Sequence, residues 1–170
     1  MSTQGVRGYT LVELLSTLAI LGIVCGLCVS SFDGLITRHN RDTALQVALT
    51  TLDRARSLAV IEGKPVAVCL LNSQSQCDPT WSASDLGIFI DVNANHIRDE
   101  NEKIRYQQPW PTRSITLSWA NNFLREPTVT YQADGSVRSN GTLEFLDKNN
   151  QSLQSIVISK SGRARIKNNK

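Results

Sequence analysis

Histidine is almost missing from this 170-residue chain, with His39 and His96 the only two. An imidazole-based zinc or general-base cluster therefore has almost no material, and an enzyme is disfavoured from the outset. Charged residues are also sparse, at 19% against 41% hydrophobic, which argues against a disordered or collagen-like chain. Internal repeats and low-complexity linkers are absent. What is present fits one ordinary domain with one sizeable core. Acid is lacking in one further place. From Ser159 onward there is none, while Lys160, Arg163, Arg165, Lys167 and Lys170 supply five cations. Elsewhere 13 cations face 15 acids, a net charge of −2, so the overall +3 comes from the C-terminal end.

Charge is nearly lacking from Tyr9 to Phe32 too, where Glu13 is the one charged residue in 24. As a helix this stretch would extend roughly 36 Å, enough for a hydrocarbon core of about 30 Å. A cleaved secretory signal needs a shorter apolar run with a small-x-small site after it. Here the plausible processing point, Arg7-Gly8, comes before the run. The pattern predicts a leader at 1–8 and a retained membrane anchor at 9–32. A carboxylate at Glu13 is costly so deep in an anchor, although a helix N-terminus relieves part of the cost. Pairing with the free amine of a neighbouring chain and a place at the headgroup level both account for it.

Beyond the anchor, Leu45, Ala48, Leu49, Leu52, Ala55 and Ala59 recur at three- and four-residue spacing, an amphipathic stripe. Arg38, Arg41, Arg54 and Arg56 fall off the stripe and are expected on a solvated face. Glu62-Gly63-Lys64-Pro65 stops the helix, because Gly accepts a left-handed cap and Pro cannot continue. One helix from about Thr10 to Glu62 follows, with 33–62 as its amphipathic half. From 63 to 170 the period changes to short β-rich runs at 65–71, 87–92, 103–107, 114–119, 128–132, 142–146 and 155–159, with ARIK at 164–167 as a last short strand. The fold class is α+β, a long helix packed on a small antiparallel β-sheet head.

The junction Gly8-Tyr9-Thr10-Leu11-Val12-Glu13-Leu14-Leu15 resembles the class III leader of type IV pilins and pseudopilins. The resemblance implies cleavage by a prepilin peptidase between Gly8 and Tyr9, with N-methylation of Tyr9 in place of the usual Phe. It also implies that Glu13 guides assembly with other minor and major pilins by pairing with a subunit's new N-terminus. Leu52-Asp53-Arg54-Ala55-Arg56, Pro65-Val66-Ala67-Val68-Cys69, Trp81, Gly87-Ile88-Phe89-Ile90-Asp91-Val92-Asn93 and Ser161-Gly162-Arg163-Ala164-Arg165 are similar to the GspH/FimT branch. That branch implies a head in the periplasm, and a pilus or pseudopilus once assembled. A minor pilin of a type IV pilus is the expected function, with a pseudopilin of a type II secretion system as the alternative.

Three constellations complete the sequence. In an exported head the compartment is oxidising, so Cys69 and Cys77 are expected to close a disulfide, while Cys25 and Cys28 in the anchor act as small apolar filling. The stretch DVNANHIRDENE places Asp91, Asn93, Asn95, Asp99 and Glu102 at positions one, three, five, nine and twelve of an EF-hand-like loop, a candidate calcium site. Against calcium, His96 holds the position of the turning glycine and Arg98 adds a cation, which favours a plain Asn/Asp-rich strand connection. No other cofactor is expected. At the basic end, Arg163, Arg165 and Lys167 would share one face of an extended strand, aided by Lys160. Gly162 would let the backbone approach a phosphate. Three such cations make a sequence-independent track for double-stranded DNA, and Gly162-Arg163-Ala164-Arg165 matches the ending associated with DNA capture in natural transformation among FimT-like members. A solvated strand that pairs with a neighbouring pilin is the competing reading.

Overall fold

The computed structural model describes residues 9–81, 84–112, 114–121 and 127–167, and the side chains of 27–33 are not described. Gly8 and the side chain of Cys28 therefore lie outside the described residues. Helix α1 covers Leu11–Glu62. Its start is a reciprocal cap: the Glu13 amide donates to Thr10 Oγ1 at 3.3 Å, and the Thr10 amide reaches Glu13 Oε2 at 3.5 Å. Its end is the expected one, with Gly63 at φ +61° and Pro65 two residues on.

The chain divides into two compact units, 1–39 and 40–170. In the first, every described side chain from Tyr9 to Gly26 is exposed, including Leu11, Val12, Leu14, Leu15, Leu18 and Ile20. So many uncovered aliphatic groups call for lipid or neighbouring helices as their surroundings. Among the described residues no helix is long and apolar enough to cross a membrane, the described side chains of this stretch ending at Gly26. Cys25 is a free, exposed thiol.

The second unit joins the end of α1 to eight strands: β1 (Val66–Leu71), β2 (Asp85–Ile90), β3 (Ile104–Pro109), β4 (Thr116–Asn121), β5 (Val129–Tyr131), β6 (Gly141–Leu146), β7 (Ser152–Ile158) and β8 (Ala164–Lys167). The head is two sheets and not one: β3-β2-β1-β5 and β4-β6-β7-β8, all pairs antiparallel. Strand partners are chosen by contacts distant in sequence, which the two-residue period does not encode. Ala44, Leu45, Ala48, Leu52, Ala55 and Ala59 form the buried stripe of α1, with Leu49 partly buried beside them. The small alanines let the helix approach a core that also takes Val66, Val68 and Leu70 of β1 and Phe145, Ile156 and Ile158 of the second sheet.

Strand β1 is buried along its whole length because both of its faces are covered. Ala67, Cys69 and Leu71 pack with Phe89 on the face away from the helix, and Cys77 closes over them through a disulfide to Cys69. Bonding across eight positions restricts the unfolded chain, with an expected stabilisation of roughly 2–3 kcal/mol. Urea unfolding of the Cys69→Ser/Cys77→Ser protein should show a loss of that size. An unchanged midpoint would rule out a stabilising role for the bridge.

Candidate functional site

The basic end forms strand β8 at one edge of the second sheet. Register places Val157 opposite Arg165 and Ser155 opposite Lys167, so Arg165 and Lys167 share the face expected from their spacing. Arg163, just before the strand, joins Arg165 around an open cavity of about 420 Å³ whose other walls are Val157, Ser159 and Ser161. The hydroxyls of Ser159 and Ser161 lie 3.0 Å apart. Arg163, Arg165 and Lys167 are all exposed, and no hydrogen bond or ion pair engages their side chains among the described residues. Two guanidinium groups and two hydroxyls lining one cavity can hold an anionic oxygen group through charge-assisted hydrogen bonds. Lys160 does not line this cavity. Its ammonium donates to the Arg138 carbonyl, across the turn.

Gly162 also departs from expectation. It is buried, with φ +79°, and its amide donates to the Ser159 carbonyl at 2.8 Å. A Cβ at this position would lie 2.0 Å from the Gly135 carbonyl oxygen. The close approach that glycine permits is thus to another turn of the same chain and not to a phosphate. Gly135, at φ +77°, belongs to the turn after β5, in which the Asp134 carboxylate accepts from the Ser136 amide at 2.9 Å. Hydrogen bonding by Ser136 holds the Asp134 carboxyl below its usual range.

Arg56 joins these turns to the helix. Its Nε donates to the Gly135 carbonyl at 3.0 Å and its Nη2 to the Ser161 carbonyl at 3.1 Å. The backbone adds a third tie, from the Val137 amide to the Lys160 carbonyl at 3.1 Å. The solvated face expected for the four arginines holds for exposed Arg38 and for Arg41, which pairs with Asp42 at the surface. It holds also for exposed Arg54, whose guanidinium lies 4.0 Å from the Tyr106 ring centroid, and fails for half-buried Arg56. Beside this corner, burial pushes the Tyr131 hydroxyl well above the usual phenol range, with Asp53 adding to the shift and Arg56 opposing it.

The Asp91–Glu102 stretch brings its oxygens onto the backbone. Asp91 is fully buried and accepts from the amides of Asn95 at 3.1 Å and His96 at 3.0 Å. Glu102, also buried, accepts from Val92 at 2.8 Å and Asp99 at 3.1 Å. Asn93 and Asn95 both donate their amide groups to Asp99. His96 takes the left-handed turn conformation that an EF-hand gives to glycine, at φ +65°. Arg98 reaches the carbonyls of Ser75 and Glu102 and ties this stretch to the disulfide loop. Among the described residues no group of three His, Cys, Asp or Glu side chains is placed to hold a metal ion. The geometry is that of a self-satisfied strand connection.

Comparison with known proteins adds five findings. A family described as type II transport protein GspH matches residues 44–162, and the prokaryotic N-terminal methylation motif matches 4–29. The type IV minor pilin FimU of Pseudomonas aeruginosa has a similar fold at 18% identity, covering 77% of this chain and 90% of its own, with a TM-score of 0.58. The minor pseudopilin EpsH of the Vibrio cholerae type 2 secretion system is similar at 15% identity, covering 74% and 94%, with a TM-score of 0.50. No curated protein matches the sequence significantly.

Proposed function

The chain belongs to the GspH family, and from that premise we propose that it is a minor pilin of a type IV pilus that holds double-stranded DNA on strand β8. Family membership with an N-terminal methylation motif makes it a membrane-anchored component of a pilus or pseudopilus, associating with other pilins. The finer reading adds prepilin peptidase cleavage at Gly8/Tyr9, an anchor at 9–32 in the inner membrane and a head in the periplasm. DNA capture during natural transformation is the role that such a head would serve.

One observation carries the DNA reading: Arg163, just before an edge strand, and Arg165 and Lys167 on it are exposed with their charges unengaged among the described residues. Three phosphate contacts supply little beyond non-specific affinity, roughly 10⁻⁴–10⁻⁶ M at physiological salt. Each contact contributes about 0.9 to the log–log salt slope, so the slope should lie near −3. Fluorescence titration of the full chain in detergent micelles across a salt series tests this. Arg163→Gln/Arg165→Gln should reduce the slope by about two units. Equal binding by the double variant, or none by the parent at low salt, removes the DNA role. A secretion pseudopilin is the second reading, and one observation favours it: Gly162 of the Gly-Arg-x-Arg ending packs on Gly135, as a purely structural corner requires.

A further inference from the structure

A second cavity lies at the opposite edge of the sheet that ends in β8. The strand order puts β4 at that edge, and Ser118, Trp119, Ala120 and Asn121 of β4 enclose about 300 Å³ of open space with Thr80 and Trp81. Thr80 and Trp81 lie three and four residues beyond Cys77, which ends the loop closed by the disulfide. None of the described residues lining this cavity is charged.

Several departures from ordinary packing meet here. Trp81 has φ +53°, a left-handed conformation that a bulky side chain rarely adopts and that concentrates at binding sites. Among the described residues its buried indole N–H has no hydrogen-bond partner, and neither has that of Trp119. Orphaned buried donors are rare in folded proteins, and two in the walls of one cavity call for a common cause. Gly141 of β6 supplies a fourth departure. A Cβ there would lie 2.6 Å from Cη2 of Trp119 and 2.5 Å from the Ala120 carbonyl, so the missing side chain is what seats the indole. Trp110 provides the contrast within the same molecule, because its N–H donates to the Ile115 carbonyl at 2.9 Å.

We propose that this cavity binds a neutral saccharide. A pyranose offers C–H faces that stack on aromatic rings, and ring and hydroxyl oxygens that accept from indole N–H groups. The hydroxyl of Ser118 and the amide of Asn121 both donate and accept, as sugar hydroxyls require, while the Thr80 hydroxyl, which donates to Asp78 Oδ1 at 2.7 Å, keeps an acceptor lone pair. Among the described residues an anionic ligand finds no cation in these walls, and a purely apolar one leaves both indole donors unpaired. The volume stands at the lower end of ligand pockets, which begin near about 300 Å³, and suits one or two sugar rings. Both N–H groups are shielded from solvent in the free protein, so binding shifts an indole edge to bring them to the sugar.

The indole N–H resonances report that shift directly. Full-length protein with ¹⁵N-labelled tryptophan, in a zwitterionic detergent without sugar headgroups, is titrated with maltose, cellobiose and N,N′-diacetylchitobiose. With at least one sugar, the Trp81 and Trp119 signals should move saturably while the Trp110 signal stays. Trp119→Phe should weaken that binding about tenfold, the equivalent of one hydrogen bond. Ser118→Ala should weaken it as well, with a smaller risk to folding, and an unmoved Trp110 signal shows that each variant is folded. Absence of shifts with all three sugars overturns the proposal. So does equal movement of all three indoles, or movement of the pair with a proline-rich peptide but with none of the sugars.

Discussion

Gly162→Ala should lower the unfolding free energy by about 3 kcal/mol, whereas Gly63→Ala should cost only about 1 kcal/mol. Both glycines have positive φ, +79° and +61°, so alanine at either position incurs the left-handed backbone penalty. They differ in what surrounds them. Nothing lies within 4 Å of a Cβ at Gly63, while a Cβ at Gly162 would sit 2.0 Å from the Gly135 carbonyl oxygen. That oxygen is backbone, and Arg56 holds it at 3.0 Å, so it cannot swing aside as a flexible side chain would. The difference between the two variants therefore isolates the close approach of the turns. Chemical denaturation of both proteins, each compared with the parent, measures it. Equal losses would mean that the corner opens freely and that the contact contributes nothing.

The same contact explains what the sequence could and could not reveal. Helix limits, the buried stripe and the approximate place of every strand were legible, because each rests on a local period or on a Gly-Pro stop. The pairing of β4 with β6, and the separation of the strands into two sheets, were not, since those partners meet only through distant contacts. Gly162 was visible as a special position, but its purpose was misread. A glycine beside arginines reads as a phosphate approach until Gly135, 27 residues earlier, is found against it. Arg56 likewise looked like a solvated cation off the apolar stripe. Only the fold places the carbonyls of Gly135 and Ser161 within reach of its guanidinium.

The Asp91–Glu102 stretch teaches a related lesson about spacing motifs. Its oxygens do fall at calcium-loop intervals, yet seven of them accept from backbone or side-chain N–H groups of the loop itself: Asp91 Oδ1 and Oδ2, Asn93 Oδ1, Asn95 Oδ1, Asp99 Oδ2, and Glu102 Oε1 and Oε2. The residues that argued against a metal in the sequence, His96 and Arg98, are the ones the fold uses to turn and anchor the loop. The Trp81–Trp119 cavity left only a faint trace. Trp81 stood out within a family-like pattern, but nothing local signals an unpaired indole N–H.

Replacing Glu13 should block entry into filaments, and the choice of replacement separates two roles of the same carboxylate. Glu13 closes the helix cap with Thr10, through the Glu13 amide at 3.3 Å and the Thr10 amide at 3.5 Å. Cleavage after Gly8 would free an amine on Tyr9, adjacent to that cap, and the same carboxylate in a neighbouring subunit is the group expected to neutralise it. Intact-mass analysis of membrane-extracted protein should accordingly give a chain beginning at methylated Tyr9. A chain that retains Met1, or one that begins after the apolar stretch, contradicts the pilin processing. Glutamine preserves the cap, since a capping box accepts Glu or Gln at this position, but it removes the charge. Alanine removes both. If charge pairing drives assembly, Glu13→Gln and Glu13→Ala should each be processed normally and be nearly absent from sheared filaments, a reduction of about tenfold or more. An unpaired amine in a hydrocarbon setting costs several kcal/mol, enough for a loss of that size. Normal incorporation of the glutamine protein, with failure of the alanine one, would assign Glu13 to the helix cap alone.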